Sequence, residues 1–210
     1  MFNHLKIPKK LTQLSNIIGE DYPLDKWSGA VLFLVVEEKL VFIKRSETMP
    51  THRGQIGFMG GHKLSDESNP FETAYREFEE ESSISRSFIS CEGLLTPVLT
   101  SKGQLIIPVL SYFSGSEELF LKKVKSNGEW DNLILVPVVD LSDMNSWSMA
   151  KIYGNREYDL FFFPLIQKRF KFLAKSSENF LLWGASAKMV LNFFQNYLYD
   201  DKTQKIIIKS

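Results

Sequence analysis

Residues 69–83, NPFETAYREFEEESS, carry the start signals of one helix and place four glutamates in the five positions 77–81. Asn69 can cap that helix, Pro70 suits its first position, and Glu72 stands where a capping box needs its second partner. Phe71, Ala74, Tyr75 and Phe78 then recur at i, i+3, i+4 and i+7, one apolar stripe for a core. With about 100° per residue, Glu77, Glu80 and Glu81 fall in one sector beside the stripe. Glu72, Arg76 and Glu79 fall on the other flank, where Glu72 and Glu79 are expected to be solvated partners of Arg76. Like charges one turn apart repel by roughly 0.2–0.5 kcal/mol per pair, so the first sector needs a reason to exist. Taken alone, an acidic run is most often a wet helix face. Three carboxylates at i, i+3 and i+4 can instead hold a hard divalent cation such as Mg²⁺, which takes oxygen ligands.

The rest of the chain supplies strands around this helix. GAVLFLVVEEKLVFIKRS (29–46) reads as a hairpin turning at Glu37-Glu38-Lys39, and LIIPVLSYF (105–113) and LILVPVVDL (133–141) read as further strands. Their internal prolines favour edges, bulges or strand ends. NFLLWGASAKMVLNFFQNYL (179–198) reads as a helix after a short lead-in, with Met189, Leu191, Phe193, Phe194 and Leu198 on a broad apolar face and Trp183 and Phe194 in the core. Strands about a central helix, closed by another helix, predict a mixed α/β sandwich.

Charge and cysteine content exclude several classes. Lys plus Arg and Asp plus Glu are 25 each, so the chain lacks the basic excess of a general nucleic-acid binder. No window approaches the ~20 apolar residues of a membrane span. A single cysteine, Cys91, rules out an intramolecular disulfide and reads as a small buried hydrophobe. The start lacks the apolar run of a secretory signal, and a cytoplasmic protein is expected.

Read with its upstream context, GHKLSDESNPFETAYREFEEESSI (61–84) resembles the Nudix box: Gly, five residues, Glu, seven residues, Arg-Glu, an apolar residue, any residue, Glu-Glu, any residue, Gly and an apolar residue. Gly61, Glu67, Arg76, Glu77, Phe78, Glu80, Glu81 and Ile84 match. The chain departs twice, with eight residues between Glu67 and Arg76 and with Ser83 in place of the last Gly. The extra residue falls in a loop, where insertion is cheap. RSETMPTHRGQIGFMGG (45–61) is similar to the signature of coenzyme A pyrophosphatases in Arg45, Ser46, His52, Gly54, Gln55, Phe58, Gly60 and Gly61, with Met59 where that family usually has Pro.

The resemblance implies a Nudix fold over 28–198, between an N-terminal arm (1–27) and a C-terminal tail (199–210). It implies hydrolysis of a nucleoside-diphosphate substrate, coenzyme A or acyl-coenzyme A, to 3′,5′-ADP and 4′-phosphopantetheine or its acyl form. It also implies Mg²⁺ or Mn²⁺ held by Glu77, Glu80 and Glu81, with Glu77, Glu80 and Arg76 as the catalytic set and Arg76 orienting the glutamates. Arg45, Ser46, His52, Gln55, Gly60 and Gly61 become the expected substrate-binding residues, with Arg45 on a phosphate. Nucleotide sugars, ADP-ribose and nucleoside triphosphates are the alternative substrates, and a catalytically idle nucleotide-binding module is the alternative class. Neither nucleic acid nor membrane is an expected partner, and a homodimer is left open.

Overall fold

β1 (Gly29–Val36) is apolar at every position after its glycine, the composition of a strand covered on both faces. Its side chains alternate accordingly, with Ala30, Leu32, Leu34 and Val36 in one core and Phe33 and Val35 in another. The computed structural model describes residues 26–152, 158–166, 169–174, 179–200 and 205–208. The expected N-terminal arm, up to residue 25, lies outside them, as does half of the expected tail.

A two-residue turn at Glu37 and Glu38 returns the chain as β2 (Lys39–Arg45), the predicted hairpin. β3 (Ile56–Gly57) pairs with β2, and β4 (Gly60–His62) pairs with β1. The acidic helix α1 (Pro70–Ser82) follows, then β5 (Ile89–Leu94), β6 (Val98–Leu99), β7 (Leu105–Phe113) and α2 (Glu117–Lys123). Next come β8 (Trp130–Pro137), α3 (Val138–Ser142), β9 (Ser148–Ile152), β10 (Tyr158–Leu165), β11 (Lys171–Phe172) and β12 (Phe180–Trp183). α4 (Gly184–Asn196), β13 (Tyr197–Asp200) and β14 (Lys205–Ile208) close the described chain.

The main sheet has the order β11-β8-β2-β1-β7-β5. It is mixed, since β7 runs parallel to β1 whereas β2 and β8 are antiparallel. α1 covers one face, where Ala74 and Phe78 meet Leu32, Leu34, Ile107 and Trp130. On the other face, Phe33, Phe42 and Phe58 meet Val190 and Phe193 of α4 and Phe163 of β10. The predicted mixed sheet between helices therefore forms, and a smaller sheet, β12-β10-β9, joins α4 on the second face.

The local expectations hold only in part. Val138–Leu141 is helical, because the strand ends at Pro137, whose fixed φ of −54° starts the turn of α3. Pro108 lies inside β7, at the break where the neighbour changes from β5 to β6. Phe180–Trp183 is a strand, and Gly184 makes the turn into α4 with φ +65°. Alternation along that strand leaves Trp183 37% exposed, outside the core. α4 ends at Asn196, so Leu198 falls in β13. Among the described residues no helix is long and apolar enough to cross a membrane.

Candidate active site

α1 begins as its sequence requires. Glu72 N–H donates to Asn69 Oδ1 at 3.2 Å, and the Glu72 carboxylate accepts from the amides of Ser68 at 2.7 Å and Asn69 at 3.4 Å. At the other end Ser83 stands in the left-handed region, φ 59° and ψ 19°, and donates its N–H to the Glu79 carbonyl at 3.0 Å. A serine thus takes the conformation that the box pattern gives to glycine.

Arg76 does not pair with Glu72 or Glu79; its bonds go to two of the clustered glutamates and to the loop before the helix. Its Nε donates to Glu67 at 2.8 Å, its Nη1 to Glu77 at 2.8 Å and Glu80 at 3.2 Å, and its Nη2 to the His62 carbonyl at 3.0 Å. Glu72 is engaged by the cap, and Glu79 accepts the Arg86 amide at 2.7 Å in the turn after the helix. The guanidinium fork is satisfied instead by the loop that crosses above it. Glu67 also accepts from the Leu64 amide at 2.8 Å and the Thr73 hydroxyl. Its own burial opposes the charge, but Arg76, Thr73 and Leu64 together hold its carboxyl below the usual range.

Glu77, Glu80 and Glu81 descend from solvent into the interior. The Glu80 side chain is 54% exposed and that of Glu77 15%, while Glu81 is 1% exposed and neither of its carboxylate oxygens has a hydrogen-bond partner. Burial pushes Glu81 up to about 8, aided by the Glu129 and Glu77 charges and resisted by the Gly60 amide and Arg45. Burial also raises Glu77, against the pull of Arg76. An unpaired carboxylate in such a place is costly unless it takes a proton or a cation.

Among the described residues no three acidic or imidazole groups stand at the spacing of a metal's ligands. Arg76 bridges Glu77 and Glu80, so both carboxylates face a guanidinium. The donor chemistry nonetheless fits Mg²⁺ or Mn²⁺: hard carboxylate oxygens, one pair buried and without a partner. Arg76 engages only one oxygen of each, Glu77 Oε1 and Glu80 Oε2.

The glycines before the helix are steric necessities. A Cβ on Gly61 would overlap the Glu77 carboxylate, and one on Gly60, at φ +149°, would strike the Ala30 carbonyl and Val31. The upstream residues divide. Arg45, at the end of β2, keeps a buried Nε without a partner and has Nη2 3.9 Å from Glu129. Ser46 is buried in its turn, its hydroxyl 3.0 Å from that of Thr48. His52 Nδ1 and Gln55 Oε1 lie 2.9 Å apart in an exposed loop, with His52 itself at φ 57°. Arg53 donates to the Met49 carbonyl at 2.7 Å.

Two neighbours of the acids escape the sequence reading. Glu129, in the loop before β8, is close enough to raise Glu77 and Glu81 electrostatically and to pair with Arg45. Trp130 donates its indole N–H to the Glu81 carbonyl at 2.8 Å. Both lie far from the box in sequence and reach it through the pairing of β2 with β8, which sets Arg45 opposite Trp130.

Comparison with known proteins agrees with this architecture. A NUDIX domain model matches residues 26–153, more than half of the chain. A Yersinia enterocolitica protein named "Uncharacterized Nudix hydrolase NudL" is 36% identical over 99 residues, 43% of this chain and 51% of that protein. "Nudix hydrolase 15, mitochondrial" of Arabidopsis thaliana is 23% identical over 154 residues, 73% of this chain and 50% of that one. The chain thus spans about half the length of these two relatives. A NudL protein of Photorhabdus laumondii is 24% identical over 165 residues, 77% of this chain and 80% of its own. Among solved structures, a C. elegans Ap4A hydrolase binary complex superposes with a TM-score of 0.45 at 15% identity, covering 53% of this chain and 81% of that one. The family match takes in α1, its glycine loop and every strand of the main sheet except β11, and the chain belongs to the Nudix domain family.

Proposed function

We propose that this domain hydrolyses the phosphoanhydride of a small nucleoside-diphosphate derivative, with coenzyme A or its thioesters as substrate and 3′,5′-ADP and 4′-phosphopantetheine, or its acyl form, as products. The observation that carries the reading is that the Glu81 carboxylate and Arg45 Nε, of opposite charge and within electrostatic reach of each other, are both buried without a hydrogen-bond partner. Each is expensive to leave bare. A metal-bound diphosphate answers both, since its cation suits Glu81 and its oxygens suit Arg45.

Glu77, Glu80 and Glu81 would hold Mg²⁺ or Mn²⁺, which when bound neutralises diphosphate charge and acidifies the attacking water. Arg76, through Glu67, Glu77 and Glu80, keeps the helix face and the box loop in register. Glu80, the most exposed of the three, is free to join the ligands or to accept the proton of the water. Arg45 has only a loose contact with Glu129, and its guanidinium can turn to a phosphate oxygen. Gly61 keeps a side chain out of the space next to Glu77, and Gly60 lets the loop lie against β1. The choice of coenzyme A rests on the resemblance of 45–61 to the coenzyme A signature, including the paired His52 and Gln55.

A substrate panel with Mg²⁺, comprising coenzyme A, ADP-ribose, nucleotide sugars and nucleoside triphosphates, tests the reading. Release of 3′,5′-ADP from coenzyme A at the highest kcat/KM is expected. Turnover of ADP-ribose or a nucleotide sugar with none of coenzyme A would overturn the substrate. If Arg45 also reads the 3′-phosphate, Arg45→Ala lowers kcat/KM for coenzyme A more than for 3′-dephospho-coenzyme A; equal losses assign it to the diphosphate.

A further inference from the structure

The last turn of α1 presents carbonyls that the helix itself cannot satisfy, and the carboxylate buried deepest, Glu81, belongs to that turn. Most of the bonds that close it come from elsewhere in the chain. Ser83 N–H takes the Glu79 carbonyl at 3.0 Å, Lys125 N–H takes the Ser82 carbonyl at 2.9 Å, and Trp130 Nε1–H takes the Glu81 carbonyl at 2.8 Å. Two of the three donors belong to 125–130, the segment that leads into β8.

That segment is built to keep its shape. Ser126 Oγ donates to the Trp130 carbonyl at 2.6 Å and accepts from the Gly128 amide at 3.0 Å. The Glu129 amide donates to Asn127 Oδ1 at 3.0 Å, and the Glu129 carbonyl accepts from the Ser46 amide at 2.8 Å. The Trp130 ring is 4% exposed and packs in the core of α1 with Phe78 and Leu133. Its one polar atom therefore has a fixed direction, and that direction is the backbone of Glu81. A buried indole N–H usually finds a partner, and here that partner is the main chain of the most deeply buried acid.

We propose that Trp130 is a positioning residue of the acidic site. Its indole N–H fixes the main chain of Glu81, so that the Glu81 carboxylate is held toward Glu77, Arg45 and Glu129 and does not move with a fraying helix end. The inference rests on the reading of Glu77, Glu80 and Glu81 as metal-holding groups. Groups that orient metal ligands from behind typically change metal affinity or activity by about 10–100-fold when removed.

The test is direct Mn²⁺ binding, read by the electron paramagnetic resonance signal of free Mn²⁺, on wild type, Trp130→Phe and Ser126→Ala. Phe163→Leu, in the core on the opposite face, serves as a control for lost stability. Trp130→Phe is expected to weaken Mn²⁺ binding at least about 10-fold and to lower kcat by a similar factor, with KM for the substrate within about 2-fold. It should also speed hydrogen exchange at the amides of the last turn of α1 in the metal-free protein. Ser126→Ala, which loosens the segment without touching the core, should weaken Mn²⁺ binding by a smaller factor, and it decides the matter if Trp130→Phe does not fold. Phe163→Leu should lower Tm and leave Mn²⁺ affinity alone. Unchanged Mn²⁺ affinity in Trp130→Phe, or in Ser126→Ala where the first does not fold, would overturn the proposal and leave Trp130 a core residue. Wild type that binds no Mn²⁺ would instead overturn the metal reading of the site, a separate result.

Discussion

Arg76 Nε and Glu67 Oε1 are 2.8 Å apart and join the helix to the loop nine residues upstream. The pair is mostly shielded, with Glu67 9% exposed, so it is worth more than a surface ion pair. Glu67→Gln keeps the volume and loses the charge. It should destabilise the protein by about 1.5–3 kcal/mol, the usual range for bonds to charged groups, and lower kcat by freeing Arg76 to bind Glu77 and Glu80 more tightly. Urea unfolding and steady-state kinetics check both, and an unchanged kcat would detach Glu67 from the site.

Glu79 and Glu81 are two residues apart and differ in every surrounding. The first accepts an amide in the turn after the helix, while the second points its carboxylate into the interior without a partner. Glu81→Gln should abolish turnover by several orders of magnitude, while Glu79→Gln should change kcat/KM by less than about 3-fold, given the small coupling of peripheral groups. Equal losses would remove the basis for separating the two faces of α1.

The raised Glu81 carboxyl makes a statement about stability. Its value in the folded protein is about 8 against an ordinary 4.5, so between these the unfolded chain binds fewer protons than the folded one. Stability of the metal-free protein should therefore be intact below about pH 4.5 as far as this group is concerned, and should fall as pH rises toward about 8. Urea unfolding in EDTA should show wild type losing stability across that window relative to Glu81→Gln. Added Mg²⁺ should restore it to the wild type alone. Parallel pH profiles for the two proteins would contradict the assignment.

Ser83 holds a left-handed conformation at φ 59° that glycine adopts without strain. Ser83→Gly should stabilise the protein by about 1 kcal/mol, or about 2–4 °C in Tm for a chain of this size, with activity unchanged. Calorimetry checks it, and a lower Tm would mean that the serine side chain contributes more than its backbone costs.

The local rules carry over best where the determinants are local. The turn at Glu37 and Glu38 and the cap formed by Asn69, Pro70 and Glu72 appear where the spacing of residues puts them, because each depends on neighbours within a few positions. The sequence reading errs where distant chain segments decide. Trp183 is left on the outside because β12 adds to a second sheet, a pairing that no periodicity announces. Glu129 and Trp130 reach the acids only through the register of β2 with β8.

The central claim is that Glu77, Glu80 and Glu81 work through a divalent cation on a diphosphate. It is tested most directly by following hydrolysis of coenzyme A by the wild-type protein with Mg²⁺, then with excess EDTA, then with Mg²⁺ restored. Turnover to 3′,5′-ADP that disappears with EDTA and returns with Mg²⁺ is the predicted result. Undiminished turnover in excess EDTA would contradict it.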